Sequence, residues 1–251
     1  MVSTRHRLKT WVEHRRYGTY DRFIGWNYQY RICAKPQRTP GGWIWTYELY
    51  NRHGRQQMLR SICDRCGQDD IIYDIGASIG VYSLAIAADS LDREVFAYEP
   101  SPQTADRLRA NCDRNVCGNH VNIRQVGIGD KNNTQNFYVS TYPELSSFER
   151  ESAIRWGAEI DESVNVPVST LDQEILTQPT PDLLKIDVEG LGPSVLRGAR
   201  QTLEKHRPVI FIEIHQTGLS HDPSGSIRTE LEDADYAITE LDGYWQCEPD
   251  G

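Results

Sequence analysis

From residue 71 onward, short runs of β-branched and aromatic residues alternate with stretches whose apolar positions recur every three or four residues. Ile71–Ile75, Glu94–Tyr98 and Val121–Val126 read as three strands. Between them, residues 79–89 form a helix with Leu84, Ala85 and Ala88 inward. A second helix opens at Ser101-Pro102, an N-cap followed by proline at the first helical position, and stripes Ala105, Leu108 and Cys112 on one face. Gln135–Ser140 reads as an extra hairpin strand, and residues 141–166 as a long loop without clear period. The alternation resumes with a strand at Asp182–Asp187, a helix at Pro193–His206 and an almost wholly apolar strand at Pro208–His215. Tyr236–Leu241 and Tyr244–Cys247 flank Asp242-Gly243, the signal of a closing hairpin.

Strands that alternate with helices imply an α/β fold with a doubly wound, mainly parallel sheet. The last hairpin supplies an antiparallel C-terminal edge. Residues 1–65, with Gly41-Gly42 and scattered aromatics, fall outside the repeat and read as an N-terminal appendage to a domain spanning 66–251.

Composition narrows the function classes. The 251 residues hold 27 Lys+Arg and 36 Asp+Glu, a net charge of −9. The longest apolar runs, such as Val209–Ile212, fall far short of a bilayer span, and the N-terminus lacks the apolar core of a secretory signal. A soluble cytoplasmic protein is expected. The charge is uneven: residues 1–70 hold 13 basic and 6 acidic residues, and the remainder 14 and 30. Bulk acidity disfavours nucleic acid as partner, because phosphate neutralisation needs a positive interface. The basic front segment also holds 11 of the 24 aromatics within residues 1–50, including Trp11, Trp26, Trp43 and Trp45, so it is a candidate lid or acceptor-stacking platform. The single CxxC, Cys63–Cys66, and the pair Cys112 and Cys117 lack the ligand spacing of a zinc site and read as reduced cysteines.

Ligands of open α/β sheets bind beyond the carboxyl ends of the strands. Here those ends carry Asp74 to Gly80, Glu99-Pro100, Gly127 to Asp130, Asp187 to Gly190, and Glu213 to His215. The first loop has Gly76 and Gly80 but Ser78 where a dinucleotide fingerprint has its middle glycine. Asp74 would repel a pyrophosphate and could accept from an ammonium group. Glu99, 19 residues after Gly80, is placed to accept both ribose hydroxyls. Ribose, a cationic amino-acid part and no phosphate describe S-adenosylmethionine.

Tyr73–Ser83, Ala97–Pro102, Asp182–Gly190, Val195–Ala199 and Ile212–His215 together resemble the FkbM family of S-adenosylmethionine-dependent methyltransferases. The resemblance covers about residues 70–245. It implies a Rossmann-like class I methyltransferase sheet and O-methylation of a hydroxyl on a sugar, glycan or natural product. It further implies that Asp74, Gly76, Ala77 and Gly80 hold the methionine part and Glu99 the ribose, that Gly127–Asp130 flanks the adenine, and that Ser78 and Pro100 belong to the same cofactor-binding set. Leu191-Gly192 stands where the family commonly has an acidic residue, a departure that bears on acceptor choice.

A hydroxyl acceptor must shed a proton, and the candidate bases are Asp187, Glu189, Glu213 and His215. His215 and Asp187 are preferred, since neutral imidazole accepts protons near pH 7 and Asp187 ends the strand beside the cofactor loop. Asp187, Glu213 and His215 are also the set that would hold Mg²⁺ or Mn²⁺, although no metal is assigned. An RNA methyltransferase that uses the basic front and a non-catalytic S-adenosylmethionine-binding domain are the alternatives.

Overall fold

The apolar runs become strands wherever both sides of the chain find a layer to pack against. The computed structural model describes residues 35–39, 42–46, 55–215 and 222–250. The aromatics Trp11 and Trp26 lie outside them. β1 (Lys35–Thr39) and β2 (Gly42–Thr46) form an antiparallel hairpin, with Trp45 opposite Pro36 and Trp43 opposite Arg38. The helix Arg55–Arg65 lies within the segment read from sequence as an appendage, yet it packs on the main sheet. It buries Met58, Leu59, Ile62 and Cys63 in the core that contains Ile72, Phe211 and Tyr244. Burial pushes the Cys63 and Cys66 thiols up to about 12, as expected for inert core cysteines.

β3 (Ile71–Ile75), β4 (Glu94–Tyr98) and β5 (Val121–Arg124) are parallel neighbours. A second, three-stranded sheet follows, made of β6 (Gly127–Ile128), β7 (Asn133–Ser140) and β8 (Ile160–Ser169) in the order β6-β8-β7. β9 (Leu183–Ile186) returns to the main sheet beside β3, and β10 (Val209–Glu213) lies beside β9. β11 (Tyr236–Leu241) and β12 (Tyr244–Pro249) close the edge, with β12 antiparallel to both β11 and β10. The main sheet thus runs β11-β12-β10-β9-β3-β4-β5.

Alternate side chains of its strands feed two separate cores. Ile72, Val95, Leu183 and Phe211 face the helices Arg55–Arg65 and Val81–Asp89. Tyr73, Phe96, Leu184 and Ile210 face the opposite layer, where Val195, Leu203, Ile227 and Leu231 come from helices. Two buried faces explain why these strands read as nearly continuous apolar runs. Among the described residues, no helix is long and apolar enough to cross a membrane.

Three elements differ from expectation. The supposed loop 141–166 holds the first seven residues of β8, which pairs antiparallel with β7 over its length. Only the far end of β8 buries its side chains (Val166, Val168, Ser169), so residues 160–165 show no alternation. The helix expected over 193–206 is broken into Gly192–Gly198 and Arg200–His206, with Ala199 at φ −106° and ψ 4°. A Cβ on Gly198 would lie 1.9 Å from the Gly129 carbonyl oxygen, so this glycine lets the helix touch the β6 loop. The second half is then capped from outside. Asp172 accepts from the amides of Gln201 and Thr202 (3.0 and 2.8 Å) and from the Thr202 hydroxyl (2.7 Å). A further helix, Ser224–Glu232, was not legible, since Ile227 and Leu231 are its only buried residues.

Asp172→Ala removes three acceptor contacts at a helix start and should destabilise the fold by about 1–2 kcal/mol. Urea denaturation of the wild type and the variant measures this.

Candidate active site at the carboxyl rim of the sheet

At the carboxyl ends of β3, β4 and β9 lies a cleft of about 780 Å³, a volume that includes its open mouth. Its floor begins with the turn after β3. Gly76 has φ +79°, and a Cβ there would lie 1.9 Å from the Asp187 carbonyl oxygen, so only glycine lets the first and fourth rim loops touch. The Gly76 and Ala77 amides both donate to the Tyr98 carbonyl at 3.0 Å, which locks the turn onto β4. Gly80, at φ +86°, starts the helix Val81–Asp89, and a Cβ on it would meet Leu108 at 2.1 Å.

Beneath the turn lies a buried ion pair. Asp74 on β3 and Lys185 on β9 are register partners, and Lys185 Nζ is 2.9 Å from Asp74 Oδ1. The Ser83 hydroxyl donates to Asp74 Oδ2 at 2.5 Å. The Lys185 ammonium also donates to the Gly76 carbonyl at 3.2 Å and stands 4.8 Å from the Tyr82 ring centroid. Burial alone would lower the Lys185 pKa, but the Asp74 and Asp187 charges overcome it and hold the ammonium above its ordinary value.

Glu99 lines the cleft at the end of β4. Its Oε2 accepts from the Ser78 amide (3.0 Å), with Ser78 at φ 52°, and its Oε1 accepts from the Ser101 amide (2.8 Å). These donors fix the carboxylate while leaving it further lone-pair capacity. Burial pushes Glu99 up to about 7, against the lowering pull of both amides and of Lys185. Alongside, Tyr98, Val126 and Ile128 line the cleft.

The other end of the cleft is a chain of charged groups. His215, beyond β10, has Nε2 2.9 Å from Asp187 Oδ1 and Nδ1 3.6 Å from Glu189 Oε2. Glu189, at φ 39°, also pairs with the buried guanidinium of Arg155. Burial would lower the His215 pKa, but the Asp187 hydrogen bond and the charges of Asp187, Glu189 and Glu213 raise it to about 9. Burial likewise holds Glu189 above the usual carboxylate range. One ligand atom each from Asp187, Glu213 and His215 lie within 4.8 Å of one another, an O/N set able to hold a divalent cation. The same His215 and Asp187 are already joined to each other by the 2.9 Å hydrogen bond.

Of the residues expected at the cofactor site, Gly76, Ser78, Glu99, Pro100 and Gly127 line the cleft. Ala77 and Gly80 shape it through the backbone. Asp74 does not reach it: the side chain is fully buried and engaged by Lys185 and Ser83. Asp130 turns away, its amide donating to Ser194 Oγ (3.2 Å) and its carboxylate lying 3.6 Å from Arg197. Asp187 and Glu189 line the cleft, His215 joins them through its ring nitrogens, and Glu213 completes the cation-competent trio. Phe137, Phe148 and Arg155 were not anticipated. They reach the site through the pairing of β7 and β8, which left no motif in the sequence.

A mainly parallel sheet of this order, with an antiparallel strand inserted at its edge and the cleft at its carboxyl rim, defines a Rossmann-like class I methyltransferase fold. The methyltransferase FkbM domain matches residues 74–238, and the chain belongs to that family. Over 176 residues it is 27% identical to the hexuronic acid methyltransferase AglP of Haloferax volcanii, covering 68% of this chain and 66% of that protein. The crystal structure of a methyltransferase FkbM from Methylobacillus flagellatus aligns with TM-score 0.50 at 18% identity, over 73% of this chain and 44% of that one. An O-methyltransferase from Bacillus cereus in complex with SAH aligns with TM-score 0.50 at 17% identity, over 81% and 84%. These two structural likenesses concern the fold. The chain spans about two thirds of the length of the curated relative and less than half of the first structure.

Lys185→Met leaves Asp74 buried without its cation and should cost roughly 3–5 kcal/mol in chemical denaturation. Pairing it with Asp74→Asn should recover much of that loss, since the lone buried charge is then gone.

Proposed function

We propose that the protein is an S-adenosylmethionine-dependent O-methyltransferase whose acceptor is a hydroxyl of a sugar, in a glycan or a glycosylated small molecule. The observation that carries this is the pairing, across one cleft, of a Glu99 carboxylate oriented by two backbone amides with the Asp187–His215–Glu189 chain. Membership of the FkbM family supports the cofactor, and the hexuronic acid methyltransferase relative supports a sugar acceptor.

The residues present fit the cofactor. The Gly76 turn, packed without a side chain against the Asp187 backbone, lines the cleft, Glu99 keeps acceptor capacity toward a ribose diol, and Tyr98, Val126 and Ile128 offer an apolar slot for the base. When bound, S-adenosylmethionine supplies an electrophilic methyl on a sulfonium, whose positive charge is neutralised as the methyl leaves.

The chain's own residues align the acceptor, exclude water and move one proton. Orienting the acceptor hydroxyl in line is the larger contribution, since well-oriented reactants can gain roughly 7–11 kcal/mol. For the proton, the dyad acts as a unit. With His215 held protonated and donating to Asp187 Oδ1, the Asp187 carboxylate is the group that meets the acceptor hydroxyl, and the imidazole steadies it. Once His215 loses its proton, the imidazole itself can accept. Its pKa near 9 in the free enzyme places this second state on the alkaline side. Cleft-lining Glu189, tied to Arg155 and close to His215 Nδ1, limits how the ring can turn.

Glu99→Ala should weaken cofactor affinity by well over tenfold in calorimetry. In the wild type, a ribose diol donates to the ionised carboxylate, so affinity should fall as pH drops through about 7, by up to about tenfold per unit below it. Glu99→Gln should lose that dependence.

Asp187→Asn and His215→Asn should lower turnover by about 10²–10⁴ while changing cofactor affinity no more than a few-fold. The kcat/KM of the wild type should rise between pH 7 and about 9, and His215→Asn should flatten that rise.

A further inference from the structure

The segment 141–159, between β7 and β8, is a built part of the cleft. Its base is closed by the Thr141 amide donating to the Glu159 carbonyl (2.8 Å) and the Glu159 amide donating to Thr141 Oγ1 (2.9 Å). Ser147 forms an isolated bridge with Tyr138 of β7, and the Ser140 hydroxyl donates to the Ala153 carbonyl at 2.6 Å. So pinned, the segment places Pro143, Ser146, Ser147 and Phe148 on the cleft wall, and Phe148 meets Phe137 edge-on at 5.0 Å.

Its far end carries a residue that neither the core nor the proposed chemistry uses. Trp156 has φ 54°, a left-handed backbone that a side-chain-bearing residue adopts only at a cost, and it is 65% exposed. A large aromatic ring is thus held in water on a strained backbone, with Gly157 at φ +79° completing the turn. One feature holds the ring in place: the Arg155 guanidinium lies over it, 5.0 Å from the ring centroid. That guanidinium is the one paired with Glu189, which lines the cleft and approaches His215 Nδ1 at 3.6 Å. The indole is therefore one side chain removed from the groups proposed to handle the acceptor proton.

An exposed ring backed by a fixed guanidinium, next to a carboxylate that can take hydroxyl donors, matches the two-sided chemistry of a sugar. Pyranose rings present an axial C–H face to an aromatic surface and hydroxyls at their rim. We propose that Trp156 is the stacking platform for the acceptor's sugar ring, and that Arg155 sets the platform and Glu189 in register, so that a hydroxyl of the stacked ring points toward Asp187 and His215. This rests on the methyltransferase reading above and adds where the acceptor sits. The acceptor platform then belongs to the segment between β7 and β8.

The test uses the full chain, with Trp156→Ala and Trp156→Phe; an exposed position makes both expected to fold. S-adenosylhomocysteine binding is measured by calorimetry. With that compound present, methyl β-glucoside and methyl β-glucuronide are then examined by saturation-transfer NMR. The expected result is S-adenosylhomocysteine affinity within twofold in all three proteins, ring-proton transfer to at least one glycoside in the wild type, a loss of at least fivefold in Trp156→Ala, and retention of at least half in Trp156→Phe. Transfer in Trp156→Ala equal to the wild type overturns the platform. So does a wild type that binds S-adenosylhomocysteine yet shows no transfer to either glycoside. A wild type that fails to bind S-adenosylhomocysteine instead removes the cofactor reading, and the platform with it.

Discussion

The Asp74–Lys185 pair joins the two strands between which the sheet reverses direction of growth, and the rest of the cleft hangs on it. β3 and β9 are far apart in sequence, and their register sets these two residues opposite each other. Burying both charges is expensive, and a buried pair survives only when its remaining donors and acceptors are matched. Here Ser83, the Gly76 carbonyl and the Tyr82 ring supply the matches. The same ammonium that neutralises Asp74 thereby holds the Gly76 turn. The turn brings the Asp187 carbonyl close, and Asp187 brings in His215. One ion pair thus connects the cofactor half of the cleft to its proposed acceptor half.

The electrostatics above this pair follow a single theme. Asp74, Glu99, Asp187, Glu189 and Glu213 crowd a small, partly buried volume that holds Lys185, Arg155 and His215 as counter-charges. Burial drives Glu99 and Glu189 upward, while the surrounding carboxylates drive His215 up. Such a site favours cationic ligands, in keeping with a sulfonium cofactor. It also sets the opposing demand that one proton be taken from an acceptor, which the Asp187–His215 hydrogen bond is arranged to meet in the proposed reaction.

Much of this is legible in the sequence. The strands β3, β4, β9 and β10 are short, doubly buried runs whose apolar character survives any register, so their positions follow from composition alone. The cap at Ser101 was equally plain, because its signal is local; the side chain accepts from the Thr104 amide at 3.3 Å. The three-stranded side sheet was not. Its β8 buries only its far end, and its partner β7 lies across a segment of nineteen residues with no period of its own. The break at Ala199 was hidden for a related reason, since it depends on Gly198 meeting a carbonyl from a distant loop and on a cap supplied by Asp172.

The rim residues divide along the same line. The order of strands, the glycine turn and the spacing of Glu99 are properties of neighbouring residues, so the chain by itself determined a class I sheet with a cleft at its carboxyl edge. The direction in which each acidic side chain points was decided by tertiary structure. Asp74 and Glu99 look alike in sequence, both ending strands beside glycines or proline. Yet one is consumed by Lys185 across a strand pair and the other is turned into the cleft by two amides. Local pattern fixes which faces are buried, because burial depends on periodicity. A carboxylate's role depends on the nearest cation or donor, and folding brings that partner from elsewhere in the chain.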